Sequence, residues 1–199
     1  MVTFSVCHTQ AYARENTILV LGDSLSAAYG IEIERGWVNL LQNRIDNYSE
    51  DQQWNVVNAS VSGETTAGGL ARLPALIQKH QPLLCIIELG ANNGLRGQST
   101  ALMQQNLEEM IKQCSLSGTS ILLGIKLPPN YGEKYTQAFH QVYSDLANVC
   151  DIPLVPFLLE GIALKDEYLQ ADRLHPTAQA QPIILDNVWP TLENWLDSI

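Results

Sequence analysis

A serine that follows the first apolar run of the chain stands in a sequence that suits a nucleophile. The run leads into Gly22-Asp23-Ser24-Leu25-Ser26, and a turn after a strand can aim backbone N–H groups at a developing oxyanion. The sequence nearly matches Gly-x-Ser-x-Gly, with Ser26 in place of the second glycine. A serine at such a position also caps helices. Taken alone, Ser24 is therefore open to both interpretations.

His175 is the histidine best placed to activate a serine. A serine hydroxyl needs a base within hydrogen-bond reach, and the base needs a third group to orient it. His175 stands three residues after Asp172, a spacing that lets a carboxylate and an imidazole meet on one side of a turn. Pro176 keeps His175 out of a helix interior. The same residues also suit a polar turn with a helix cap, so the prediction of acyl-transfer chemistry depends on Ser24 and His175 together.

The elements that must position these residues follow from the apolar pattern. Five short apolar runs predict buried strands, and because they are near-continuous in Val, Ile and Leu they suit a parallel sheet covered on both faces. They are 17–22, 54–58, 83–90, 119–125 and 153–155. The site should then lie outside the carboxyl ends of the strands, where strand order reverses.

Helical spacing of apolar residues fills the intervals between these runs. The segments are 37–48, 65–80, 99–117, 135–149 and 180–196. Pro74 should kink or restart its helix, Pro182 suits a first turn, and Pro190 should break the last helix late. The alternating order predicts a three-layer, doubly wound α/β domain of flavodoxin-like type with a mainly parallel, five-stranded sheet.

Four blocks in the chain resemble, in order, those of the SGNH, or GDSL, hydrolase family. They are 22–26, 62–65, 90–93 and 172–175. The chain is most similar to the family's bacterial thioesterase I, arylesterase and lysophospholipase L1 group, because 58–60, 90–97, 127–132 and 175–176 are also alike. The resemblance implies a serine esterase that hydrolyses carboxylic esters or thioesters through an acyl-enzyme, without a cofactor.

The resemblance also implies a role for each matching residue. Ser24 would be the nucleophile, His175 the base and Asp172 the orienting carboxylate. The oxyanion hole would use the backbone N–H groups of Ser24 and Gly63 and the side-chain amide of Asn92. One departure is Asn93, where the family usually has Asp. The amide loses a charge and gains donors, so we expect altered hydrogen bonding in this loop with the oxyanion hole retained.

Substrate contacts are expected from two cations and one loop. Arg96 and Lys126 could reverse the local field in a cleft of an acidic protein. The family counterpart of the loop that follows the fourth strand is a mobile substrate loop, which implies contacts from Pro129, Asn130 and Tyr131. An ordinary strand-to-helix connection is the alternative.

Charge and composition limit the partners. The formal net charge of −10 over 199 residues disfavours nucleic acid and anionic membranes, and no apolar run approaches the roughly 18 residues of a membrane span. A small acyl ester is the expected partner. The cysteines show no spacing typical of a metal site, so we predict no metal and free thiols at Cys7, Cys85, Cys114 and Cys150.

The sequence predicts an N-terminal tail over 1–16 and a single domain over 17–199. Ala11-Tyr12-Ala13 resembles a signal-peptidase site, which favours a periplasmic or secreted protein that has lost the start of its signal, with a cytoplasmic protein as the alternative. The oligomeric state stays open, with a monomer favoured. Two other functions are considered: a carbohydrate acetyl-esterase that uses the same residues, and a non-catalytic flavodoxin-like binding module.

Overall fold

Five parallel strands form the centre of the molecule. The computed structural model describes residues 16–48 and 52–199, and every strand pair in its sheet is parallel, in the order β2-β1-β3-β4-β5. The strands are β1 (Asn16–Gly22), β2 (Trp54–Asn58), β3 (Leu84–Glu88), β4 (Thr119–Leu123) and β5 (Leu154–Val155). The predicted doubly wound α/β fold is confirmed.

The described residues form six α-helices around the sheet. They are α1 (Trp37–Tyr48), α2 (Thr66–His80), α3 (Ala91–Leu95), α4 (Thr100–Cys114), α5 (Glu133–Cys150) and α6 (Gln181–Leu196). Helix α1 packs against α6, while α4 packs against both α2 and α5. Because helices pack over the central strands, β1 and β3 are buried along almost their whole length, which explains their continuous apolar sequences.

The proline predictions had mixed outcomes. Pro182 lies in the first turn of α6, as expected. Pro190 does not break that helix, which continues to Leu196, so this prediction is wrong. A proline removes only one helical hydrogen bond, and the fully buried Val188 and Leu192 hold the helix against the core on either side of it. Helix α2 likewise runs through Pro74 without a restart.

Three of the cysteines lie in the described residues, and all three are free: Cys85, Cys114 and Cys150. The expected thiol Cys7 and all of the predicted tail except Asn16, which opens β1, lie outside the described residues. None of the helices in 16–48 and 52–199 is long and apolar enough to cross a membrane. Over the same ranges, no group of three or more His, Cys, Asp or Glu side chains could hold a metal ion.

Candidate active site

The candidate site lies where the strand order reverses. Strand β1 has β2 on one side and β3 on the other, so the chain leaves the sheet in opposite directions after these strands and opens a crevice at their carboxyl ends. Ser24 follows β1, Gly63 follows β2, and Asn92 follows β3. Three of the predicted site residues are thus delivered by neighbouring strands.

Ser24, His175 and Asp172 form one hydrogen-bonded chain. His175 Nε2 lies 2.9 Å from Ser24 Oγ, and His175 Nδ1 lies 2.7 Å from Asp172 Oδ2. The structure therefore brings together residues separated by 151 positions in the sequence. With Nδ1 facing a carboxylate, the imidazole holds its proton on that nitrogen and presents Nε2 to the hydroxyl as an acceptor.

Asp172 is held in its ionised form. Its Oδ1 accepts the backbone N–H groups of Leu174 and His175, each at 3.0 Å, and its Oδ2 meets the imidazole. The hydrogen bonds from the backbone and side chain of His175, with that from Leu174, lower the pKa of Asp172 to about 2. Because 41% of the Asp172 side chain is exposed, this carboxylate owes its charge to local donors rather than to a buried counter-charge.

The loop that carries His175 is fastened to the chain after Ser24. Gln170 Nε2 donates to the carbonyls of Tyr29 and Pro176, at 2.8 and 2.9 Å. Gly30 makes room for this side chain, since a Cβ at Gly30 would lie 2.3 Å from Gln170 Oε1. The Gln170 N–H also donates to the His175 carbonyl at 2.8 Å. Hydrogen bonds from Gln170 therefore hold the backbone at His175 and at Pro176, next to the imidazole.

The three predicted oxyanion donors each have a hydrogen available within the described residues. Within the described part of the chain, no acceptor takes the backbone N–H of Ser24 or Gly63. Asn92 uses Nδ2 to donate to Asp23 Oδ2 at 3.0 Å, and because an amide nitrogen carries two hydrogens, one remains for a ligand. Asp23 Oδ1 accepts the N–H of Leu25 at 3.0 Å, which shapes the turn around the nucleophile.

Asn93, the departure from the family pattern, is buried beside this site. Its Oδ1 accepts the N–H of Thr66 at the start of α2, and its Nδ2 donates to Gln98 Oε1, both at 2.9 Å. A carboxylate could accept the hydrogen bond from Thr66 but could not donate one to Gln98 Oε1. Asn93 thus joins two loops at the carboxyl edge of the sheet, and the altered hydrogen bonding expected relative to an Asp stays a prediction.

A buried acidic pair that was not among the predicted site residues lies below Ser24. Glu88 ends β3 and Asp23 follows β1, and both are fully buried. Burial raises the pKa of Asp23 to about 6, against the opposing hydrogen bonds from Leu25 and Asn92. Burial and the neighbouring charge of Asp23 raise the pKa of Glu88 well above its ordinary value. An acidic residue inside an otherwise apolar strand run was the signal that could have revealed it.

A small apolar cleft opens beside Ser24 and His175. Its volume is about 100 Å³. Lys126 lines the cleft, and its ammonium lies 4.7 Å from the centre of the Phe157 ring and 3.8 Å from the Glu160 carboxylate. Apart from Ser24, Asn92, Lys126 and His175, the lining is apolar: Leu25, Ala91, Leu95, Ile125, Leu127, Pro128, Leu159 and Leu174.

The other predicted substrate contacts lie outside this lining. Arg96 instead donates from Nη2 to the Gly63 carbonyl at 3.0 Å. Pro129, Asn130 and Tyr131 form a short 3₁₀ helix, and the Tyr131 hydroxyl donates to the Leu95 carbonyl at 3.1 Å. Their contact with substrate stays a prediction, whereas their contacts within the protein stiffen the loops around the cleft.

The fold and this arrangement together define a hydrolase of the serine type on a doubly wound sheet. The chain belongs to the GDSL-like lipase/acylhydrolase family, which it matches over residues 20–182. It is a carboxylic-ester hydrolase, as the sequence predicted, and the alternative of a non-catalytic binding module is not favoured.

Two relatives and one solved structure illustrate the similarity. The chain is 51% identical to esterase TesA of Pseudomonas aeruginosa, over 91% of this chain and 90% of that protein. It is 41% identical to the thioesterase 1/protease 1/lysophospholipase L1 of Escherichia coli K12, over 92% and 86%. The psychrotrophic esterase EstA from Pseudoalteromonas sp., solved with monoethylphosphonate as inhibitor, superposes with a TM-score of 0.85 at 42% identity, over 92% of this chain and all of that one.

Proposed function

We propose that this esterase acts through an acyl-enzyme on Ser24, with His175 as the general base and Asp172 as its orienting carboxylate. The observation that carries the proposal is the pair of short contacts at His175, 2.9 Å to Ser24 Oγ and 2.7 Å to Asp172 Oδ2. A free serine hydroxyl is a weak nucleophile, and a base in this position removes its proton during attack.

The reaction proceeds in two steps. Ser24 Oγ attacks the ester carbonyl while its proton moves to His175 Nε2, and the tetrahedral oxyanion is held by the N–H groups of Ser24 and Gly63 and the amide of Asn92. The imidazolium then gives its proton to the departing alkoxide or thiolate. Water repeats the sequence on the acyl-enzyme and releases the acid. Each oxyanion donor of this kind is worth roughly 2.7 to 4 kcal/mol in the transition state.

The cleft sets the expected substrates. Its lining is apolar and its volume is about 100 Å³, so it suits a short acyl chain, and longer chains would have to run along its open rim. Nothing in the cleft selects a particular leaving group, which supports a broad range of esters, including aryl esters, thioesters and lysophospholipids. Arg96, Lys126, Pro129, Asn130 and Tyr131 stay candidates for contacts with the leaving group.

Hydrolysis of p-nitrophenyl acetate, butyrate and palmitate by the wild-type chain and by Ser24→Ala tests the proposal. We expect the variant to lose at least about three orders of magnitude in kcat. A fluorophosphonate probe should label the wild type at Ser24 only. The matched control is Ser60→Ala, a serine of the loop after β2, which should keep wild-type rates. Equal rates for wild type and Ser24→Ala would overturn the assignment.

A carbohydrate acetyl-esterase would use the same catalytic residues, and the cleft size is compatible with an acetyl group. The two functions differ in the leaving group. Acetylated xylan and lysophosphatidylcholine, compared at equal enzyme concentration, separate them. Preference for the lipid ester supports the broad esterase, whereas selective deacetylation of the polysaccharide would replace it.

We also propose that the protein works outside the cytoplasm. The support is the small-x-small sequence Ala11-Tyr12-Ala13, which suits cleavage by signal peptidase. N-terminal sequencing of the protein recovered from the periplasm and the medium of its native host tests this. A chain that starts after Ala13 supports export, and recovery only from the cytoplasm with residues 1–13 intact would contradict it.

A further inference from the structure

Glu88 is a buried carboxyl that the mechanism above does not use. It pairs in register with Gly22 at the carboxyl ends of β3 and β1, and a Cβ at Gly22 would lie 2.7 Å from Glu88 Oε2. Because residue 22 is a glycine, β1 leaves room for the Glu88 side chain. Oε2 accepts the Asp23 N–H at 3.1 Å and the Ser26 hydroxyl at 2.8 Å. Oε1 is buried and receives no hydrogen bond from the described residues.

The surroundings of Glu88 supply no positive charge. None of the ion pairs within residues 16–48 and 52–199 includes Glu88 or Asp23. The titratable groups that act on the pair are Tyr143 from α5, with Glu64 and His175 through Asp23. Tyr143 donates its hydroxyl to the Leu89 carbonyl at 3.0 Å, so it does not donate to Glu88. A fully buried carboxylate with one bare oxygen is costly, and a proton on Glu88 removes the charge that makes it so.

Asp23 is the better placed of the two to carry charge. Its two oxygens receive the Leu25 N–H and the Asn92 amide, both at 3.0 Å. Two carboxyl groups in contact cannot both ionise easily and titrate as a pair. Each oxygen of Asp23 accepts a hydrogen bond, whereas Glu88 Oε1 accepts none. This difference favours a charged Asp23 and a protonated Glu88.

We propose that Glu88 is a positioning residue that holds the proton of the Asp23–Glu88 pair, so that an ionised Asp23 fixes the Asn92 amide toward the substrate oxyanion. This inference rests on the proposed function of Asn92 and Ser24. The directions of the shifts agree with it: burial and the charge of Asp23 raise the pKa of Glu88 well above its ordinary value, while burial raises the pKa of Asp23 to about 6. The proton of the pair is therefore assigned to Glu88.

Kinetics of Glu88→Gln and Glu88→Leu test the proposal. Glutamine keeps a neutral donor and acceptor, so kcat/KM at pH about 7.5 should stay within a factor of about three of wild type, which is less than 1 kcal/mol. Leucine removes both functions and should lower kcat by about tenfold or more with a smaller change in KM, because Asn92 acts in the transition state. A loss of more than tenfold in the glutamine variant, or unchanged kcat in a folded leucine variant, would overturn it.

The pH dependence of the free energy of unfolding tests the protonation of Glu88 independently of catalysis. A protonated Glu88 makes the folded state hold a proton that the unfolded chain releases above its ordinary pKa of 4.5, so stability falls as pH rises. From above that ordinary value until the pH reaches the raised pKa of Glu88, the unfolding constant of wild type should rise by up to about tenfold per pH unit relative to that of Glu88→Gln. Parallel curves would overturn the proposal. Unchanged rates in Ser24→Ala would instead remove the proposed function and leave the stability result intact.

Discussion

The ring of Tyr29 lies against the imidazole of His175, with ring centroids 4.4 Å apart and planes tilted by 41°. Half of the Tyr29 side chain is exposed, yet its backbone carbonyl accepts Gln170 Nε2 at 2.8 Å. The same side chain that fastens the His175 loop therefore also fixes Tyr29. An aromatic face next to an imidazole stabilises it most when it becomes a cation, which happens during acyl transfer.

Removing this ring should slow catalysis. We expect Tyr29→Ala to lower kcat by about fivefold, equivalent to about 1 kcal/mol of lost ring and cation contact. Tyr29→Phe keeps the ring and should retain nearly full activity. Steady-state kinetics on p-nitrophenyl butyrate measure both. Equal losses in the two variants would assign the effect to the hydroxyl and not to the ring.

Asp172→Asn should reduce kcat by about three to four orders of magnitude, because an amide no longer selects the imidazole tautomer that presents a free Nε2 to Ser24. The matched control is Asp166→Asn, an acidic residue that pairs with Arg173 on the exposed side of the same loop. We expect the control to keep wild-type rates. A similar loss in both variants would indicate loop damage and count against the assigned role.

The acid side of the pH profile should not report Asp172. Its pKa is lowered to about 2, below the ordinary 3.8, so its charge persists until strongly acid pH and the stability it contributes is lost only as pH falls from about 4 through 2. Activity should instead fall earlier in acid, as Asp23, whose pKa is raised to about 6 by burial, takes up a proton and no longer holds the Asn92 amide as a carboxylate. Rates and tryptophan fluorescence, measured from pH 4 to 8 on one sample, should show activity falling while the fold persists. Coincident losses would contradict this order.

Arg96 should affect turnover through the Gly63 loop. Its Nη2 bonds the Gly63 carbonyl at 3.0 Å, which orients the peptide that precedes Glu64 and steadies the backbone at this oxyanion donor. Arg96→Met should lower kcat by about tenfold, consistent with partial loss of one donor, and should leave the melting temperature nearly unchanged. Arg35→Met, which removes another positive charge at an exposed residue, is the control. An increase in KM alone would point to direct substrate binding.

Alanine substitutions at Gly30 and Gly97 test whether the position of the Gln170 side chain matters for catalysis. Gly30 and Gly97 both have positive φ, +73° and +63°, so alanine costs each backbone about 1 kcal/mol. A Cβ at Gly97 meets nothing within 4 Å, whereas one at Gly30 would strike Gln170. Gly30→Ala should therefore lower kcat several-fold beyond Gly97→Ala. Matching kcat values would show that Gln170 does not hold the His175 loop.

Leu159 should limit the length of the acyl chain, since it lines the cleft. Leu159→Ala widens the cleft and should shift the ratio of kcat/KM for octanoate over acetate esters upward by about tenfold, the scale of one to two buried methylenes. Leu164→Ala, at a residue that is 84% exposed, is the control. An unchanged ratio would place the acyl chain elsewhere.

Much of the fold could be predicted because buried parallel strands leave continuous apolar runs. The run that predicted β2 has the observed bounds, and each of the residues Ser24, Gly63 and Asn92 follows a strand as the doubly wound topology requires. The triad was predicted by the four family-like blocks, since Ser24 and the Asp-x-x-His pair taken singly also suit helix caps and turns.

The remaining features depend on packing that a sequence does not display. Pro190 looks like a break until the buried residues on both sides of it are known. Arg96 is a cation that could face either solvent or backbone, and only the path of the Gly63 loop decides this. Glu88 stands out as an acidic residue in an apolar run, but periodicity cannot reveal whether a neighbouring strand leaves room for its carboxyl.

The segment that carries Ser24 has more backbone pairing with its neighbours than the segment that carries His175. Strand β1, which delivers Ser24, is bonded on both edges, whereas the segment around His175 has one isolated bridge, between Leu169 and Pro176. Amide hydrogens of Leu19 and Val20 should exchange only on global unfolding, while those near His175 exchange through local opening. Mild heating should then lower activity reversibly while the sheet is intact.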